Sequence, residues 1–140
     1  MSRKLLAVLA TTAAALAGVS MPAAASAATP GSTTAPEVRL LLSVTFSDAD
    51  PVHSGTRFGY LTCDPVGGKH DNPVEACAEL AAADGDLSAT DHESGVACTL
   101  EYAPVTVRAV GWYGDEPVRY KNTYGNHCVF AATAGEVWNI

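Results

Sequence analysis

Apolar and polar positions change their rhythm several times along this chain, and each change marks an element. Val38 to Phe46 is rich in β-forming residues and predicts a first strand, followed by a turn region over Asp48 to Gly55. Arg57 to Cys63 alternates loosely and predicts a second strand. Val74, Cys77, Leu80 and Ala81 then recur at helical spacing, which predicts a helix from Pro73 to about Asp84. Asn72 can cap it, Pro73 suits its first position, and Glu75 stands where a capping box needs it. Gly85 can close it with a left-handed turn. After Leu87 the chain turns polar through Gly95, which predicts a loop. Val105 to Tyr113 and Pro117 to Tyr124 predict a hairpin turning at Gly114-Asp115-Glu116. Cys128 to Ala132 and Glu136 to Ile140 predict another, turning at Thr133-Ala134-Gly135. The pattern as a whole predicts an antiparallel sheet of about five strands with one main helix on it, an α+β architecture.

The N-terminal segment follows a different logic. Arg3 and Lys4 precede an apolar stretch from Leu5 to Val19, and Ala25-Ser26-Ala27 has the small-x-small form that a signal peptidase cuts. Residues 1–27 are therefore expected to be a secretory signal peptide, too short and too rich in Ala and Thr for a membrane anchor. Residues 28–36 are small, polar and punctuated by proline, and are expected to be a disordered arm. Residues 37–140 are left as one domain.

Charge narrows the partners. Removing the leader takes away two of the eight basic residues and none of the fifteen acidic ones, leaving a net charge of −9. Such a chain is repelled by phosphate backbones, so nucleic acid is not expected as a partner; with no other segment able to span a bilayer, nor is a membrane after the leader is removed. The four cysteines, Cys63, Cys77, Cys98 and Cys128, are an even set in a small secreted domain and predict two disulfides. Three pairings are open. The sequential one closes the shortest loops, each contributing roughly 3 to 4 kcal/mol in the chain-entropy model. The spacings match no common zinc pattern, and no cofactor or metal is expected.

Catalytic motifs are absent. There is no Gly-x-Ser-x-Gly elbow, His-Glu-x-x-His pair or phosphate-binding loop. His92-Glu93-Ser94-Gly95 holds triad-type residues, but sequence neighbours do not make a triad geometry. Asp84-Gly85-Asp86 lacks the remainder of a calcium loop. The chain is not expected to be an enzyme. The informative stretch is Val96 to Val105, extended, anchored at Cys98 and stopped by Pro104. Taken by its residues alone, it is better explained as a core strand with Leu100 turned inward.

A resemblance reverses that balance. Cys98-Thr99-Leu100-Glu101-Tyr102-Ala103-Pro104-Val105 resembles the reactive-site segment of the Streptomyces subtilisin inhibitor-like family, Cys-Pro-(Met, Leu or Lys)-x-Tyr-x-Pro-Val. Ala76 to Leu87 resembles that family's Ala-Cys-x-x-Leu-x-x-x-x-Gly-Asp-Leu helix, and Leu61-Thr62-Cys63-Asp64-Pro65 its Leu-x-Cys-x-Pro. Val110 to Gly114 and Asn126-His127-Cys128 also fit. The resemblance implies a five-stranded antiparallel sheet with two helices packed on one face. It implies the pairings Cys63–Cys77 and Cys98–Cys128, and a homodimer joined through sheet faces. It also implies a secreted inhibitor of extracellular serine proteases of the subtilisin type, with chymotrypsin-like enzymes as further targets. The reactive bond would be Leu100-Glu101, with Ala97, Cys98, Thr99 and Tyr102 lining the protease cleft. Thr99 departs from the family's proline and Glu101 from its small or apolar residue, which bears on potency and target. Two alternatives accompany this reading: a non-inhibitory secreted binding module of the same fold, and an inhibitor of a zinc metalloprotease.

Overall fold

The computed structural model describes residues 35–50 and 52–140. The expected signal peptide and all but the last two residues of the expected arm lie outside them. Strict alternation makes the first strand, β1 (Val38–Phe46): Val38, Leu40, Leu42, Val44 and Phe46 are buried, and the residues between them face outward. β2 (Gly55–Cys63) pairs with it antiparallel, and β3 (Gly67–Lys69) pairs with the end of β2. Helix α1 (Pro73–Ala82) follows. A long loop leads into the hairpin of β4 (Val105–Tyr113) and β5 (Glu116–Tyr124). Helix α2 (His127–Thr133) and a short 3-10 turn (Glu136–Trp138) complete the chain. The sheet is entirely antiparallel, in the order β3-β2-β1-β4-β5.

One face of the sheet carries the core. Leu40, Leu42 and Val44 of β1, Leu61 of β2, and Val105, Val107 and Ala109 of β4 meet Ala76, Cys77 and Leu80 of α1. Val137 and Trp138 of the 3-10 turn join them, with the Trp138 ring stacked on Tyr120 at 5.7 Å. The two disulfides are Cys63–Cys77 and Cys98–Cys128. The first ties α1 to the end of β2; the second ties the long loop to α2.

Four expectations need correction. Cys128 to Ala132 and Glu136 to Ile140 do not form a hairpin: the first lies in α2 and the second contains the 3-10 turn. The fifth strand is instead β3, whose three residues Gly-Gly-Lys carry no hydrophobic pattern. Asn72 precedes α1 without capping it; its side-chain amide donates to the Glu136 carboxylate at 3.1 Å. Val74 and Ala81 are exposed, so the buried stripe of α1 is Ala76, Cys77 and Leu80. The helix stop is as expected. Asp84 and Gly85 both take left-handed backbone angles (φ 49° and 81°), and the Gly85 N–H donates to the Leu80 carbonyl at 2.9 Å.

Candidate functional site

The segment from Asp91 to Pro104 has no regular structure, yet it is fastened along its length. At its start, the Asp91 carboxylate accepts from the Tyr124 hydroxyl at 2.6 Å and from the Asn122 amide at 3.2 Å. The His92 N–H donates to the Thr133 carbonyl at 2.7 Å, and its ring meets the Glu79 carboxylate at 2.9 Å. At its end, the Ala103 N–H donates to the Gly125 carbonyl, and the Ser47 N–H donates to the Pro104 carbonyl, both at 3.0 Å. Between these anchors the Cys98–Cys128 bond joins the loop to the first turn of α2.

The centre of the loop rests on one side chain. Asn126 is 7% exposed, and its amide nitrogen donates to the carbonyls of both Thr99 and Glu101, each at 2.9 Å. Its oxygen accepts from the Val129 N–H at 2.9 Å and so caps α2. Both amide donors and the amide oxygen are engaged, which leaves the side chain one orientation. Two carbonyls either side of Leu100 are thus drawn toward the protein. The Leu100 side chain is fully exposed, at 102% of its reference area, and Tyr102 is 73% exposed. The inward-facing Leu100 that its residue pattern favours is not what the fold adopts. Leaving such a side chain in water forgoes about 1.5–3 kcal/mol of burial free energy.

Ala97, Cys98, Thr99, Leu100, Glu101 and Tyr102 are therefore brought together as one displayed strip, with Cys98 half-buried and the others exposed. Asn126 is the residue whose role motif reading did not supply. An Asn ahead of an apolar run is a helix-start signal, but its hydrogen bonds to residues 25 and 27 positions earlier leave no local trace. Behind Asn126, His53 from the β1–β2 connection stacks on His127. Burial, and next the adjacent His53, hold the His127 imidazole below its ordinary range. Asp50 is held below the ordinary carboxylate range, chiefly by the N–H groups of His53 and Val52. Among the described residues, no group of three or more His, Cys, Asp or Glu side chains is arranged to hold a metal ion.

A fully displayed leucine on a disulfide-tied, amide-bridged loop defines a class of domain built to present a peptide segment. Comparison with known proteins gives the family. Residues 37–126 match the subtilisin inhibitor-like family model. A subtilase-type protease inhibitor of Streptomyces coelicolor is 39% identical over 126 residues, covering 89% of this chain and 85% of its own length. Subtilisin inhibitor-like protein 5 of Streptomyces fradiae is also 39% identical, over 72% of this chain and 95% of its own. In structure, the chain is similar to Streptomyces caespitosus sermetstatin, solved in complex with Bacillus licheniformis subtilisin. The TM-score is 0.64 and the identity 28%, covering 75% of this chain and 99% of that one. The chain belongs to the subtilisin inhibitor-like family.

Proposed function

We propose that this protein is a secreted inhibitor of subtilisin-type serine endopeptidases, and that it offers Leu100-Glu101 as a substrate-like bond. The observation that carries the reading is Leu100, fully exposed between two carbonyls held by the buried Asn126 amide. The sermetstatin–subtilisin complex supports the partner class.

Ala97 to Tyr102 would lie in the protease cleft as an added strand, with Leu100 in the main specificity pocket. A pocket that takes a large apolar side chain suits it; one with a buried carboxylate does not. Attack of the enzyme's serine on the Leu100 carbonyl breaks the Leu100-Glu101 bond, forming an acyl-enzyme and a free amine on Glu101. In an ordinary substrate that amine diffuses away. Here Asn126 holds the peptide on both sides of the bond, and Cys98–Cys128 holds the acyl side. The amine stays within reach of the acyl carbon and re-forms the peptide bond. Because the loop is already ordered, little conformational entropy is lost on binding. The leader-like segment and the paired cysteines support an extracellular setting.

The face of the sheet opposite the core supports a second element of this reading, a homodimer. Leu41, Phe58, Tyr60, Val110 and Trp112 are exposed there and adjoin across β2, β1 and β4. An apolar face of this kind suits a second copy of the same chain.

Titrating the mature protein against a fixed amount of subtilisin tests the inhibition. Residual activity should fall linearly to an end point, and the slowly accumulating cleaved form should begin at Glu101. Full activity at micromolar excess of the protein would sink the proposal, and a new N-terminus elsewhere would move the bond.

A further inference from the structure

A histidine pair stands directly behind the loop's support. His127 is the first residue of α2, placed between Asn126, which holds the loop carbonyls, and Cys128, which holds Cys98. The His53 ring stacks on it with centroids 3.8 Å apart and planes 15° from parallel. His53 is itself fixed: its Nδ1 lies 3.2 Å from the Asp50 carboxylate, which also accepts the N–H groups of Val52 and His53 at 2.8 Å. Phe46 of β1 packs near both rings, at 5.5 Å from His53 and 5.9 Å from His127, and Phe130 of α2 flanks His127 at 6.3 Å.

The charged groups facing this pair come from three elements. Asp50 belongs to the β1–β2 connection. Arg57 of β2 places its guanidinium 5.2 Å from the Phe46 ring centroid and opposes further positive charge on His127. Glu101, from the loop, lines the same shallow cleft as Asp50, His53 and His127. Asp50 can balance one imidazolium through its bond to His53. A second positive charge, on His127, lies in the partly buried position and faces both His53 and Arg57. Neutral or singly charged rings stack favourably, whereas two like charges at this separation repel.

Building on the inhibitory reading above, we propose that the His53–His127 stack is an acid-released brace for the reactive loop. With at most one ring charged, the stack holds the start of α2 in place, and with it the Asn126 amide and Cys128. With both charged, the rings separate and Asn126 loosens its grip on the Thr99 and Glu101 carbonyls. His53 and His127 are positioning residues: neither touches the bond, and both act through Asn126. The released state binds more protons than the braced one, so the brace strengthens as pH rises and fails as pH falls through the imidazole range.

The free protein gives the first test, with no protease present. In an NMR titration from pH 8 to 4.5, the Asn126 side-chain amide protons should shift, and lose protection relative to the intrinsic exchange rate at each pH, in step with the protonation of His127. Amide signals that stay constant through that step overturn the proposal. Inhibition gives the second. The subtilisin inhibition constant is compared at pH 8 and pH 5.5 for the wild type, His53→Gln and His127→Gln, so that the enzyme's own titration cancels in the ratios. Wild type should weaken on acidification by roughly tenfold more than either variant. Identical pH profiles for all three overturn the brace. A protein that inhibits nothing at pH 8 yet shows the coupled NMR titration removes the inhibitory reading and keeps the brace.

Discussion

Two carbonyls, one from Thr99 and one from Glu101, converge on a single amide nitrogen, and this arrangement separates two roles of Asn126. Asn126→Asp keeps an oxygen for the Val129 N–H but removes both donors to the loop. Subtilisin inhibition should weaken by roughly tenfold or more, since two hydrogen bonds each worth about 0.5–1.5 kcal/mol are lost. Cleavage at Leu100-Glu101 should quicken, and the melting temperature should fall as those two bonds are lost. Asn126→Ala also removes the helix cap, so its stability should fall by about a further 1 kcal/mol. Inhibition constants and fragment masses over time, set beside thermal melts, decide whether the bridge or the cap matters. Leu100→Lys probes the displayed side chain itself. Inhibition should shift toward trypsin-like enzymes, and an unchanged profile across a protease panel would show that Leu100 does not enter the main pocket. Leu100 also shows where residue-level reading stops. An apolar residue in a β-rich stretch reads as buried because burial is the usual fate of such a side chain, and here a side chain 26 positions later turns it outward. Family resemblance supplied the displayed strip; the bridge beneath it came only from the fold.

At the level of elements, the well-read parts are those whose neighbours enforce the pattern. β1 alternates through nine residues because one face packs on the core and the other does not, and the β4–β5 hairpin is bounded by Gly114-Asp115. Cys128 to Ala132 offers no such contrast. A short apolar run fits a strand or a buried helical turn equally well, and α2 is decided by the Asn126 cap and the tie to Cys98. Seven residues are too few to hold a helix on propensity alone. Removing the tie therefore acts on loop and helix together. A Cys98→Ser/Cys128→Ser double variant, with Cys63–Cys77 left intact, should lose about 4 kcal/mol by the chain-entropy model. Denaturant unfolding measures that loss. Under native conditions the same protein should behave as a substrate, cut at Leu100-Glu101 and released. Undiminished, lasting inhibition by a verified double variant would mean that Asn126 and the flanking backbone bonds suffice to brace the loop.

Across the whole molecule, the two faces of the sheet have different tasks. The inner face builds the core that carries α1, α2 and the 3-10 turn, and the loop is hung from those elements. The outer face carries Leu41 opposite Tyr60 on one side and Val110 on the other, with Arg39 and Trp112 as the next outward-facing pair. Trp112 lies seven residues along β4 from Val105, where the loop ends, which is about 23 Å at the rise of a strand. A change at that end of the outer face should alter self-association without disturbing the loop. Leu41→Glu combined with Trp112→Asp places two carboxylates on the apolar patch, and burying them against a second copy without partners is costly. Sedimentation equilibrium at tens of micromolar should give a two-chain mass for the wild type and a one-chain mass for the variant. Titration against subtilisin should keep the end point of one protease per chain in both. A wild type that sediments as a single chain removes the dimer. A variant that loses inhibition along with association would show that the loop depends on the partner copy.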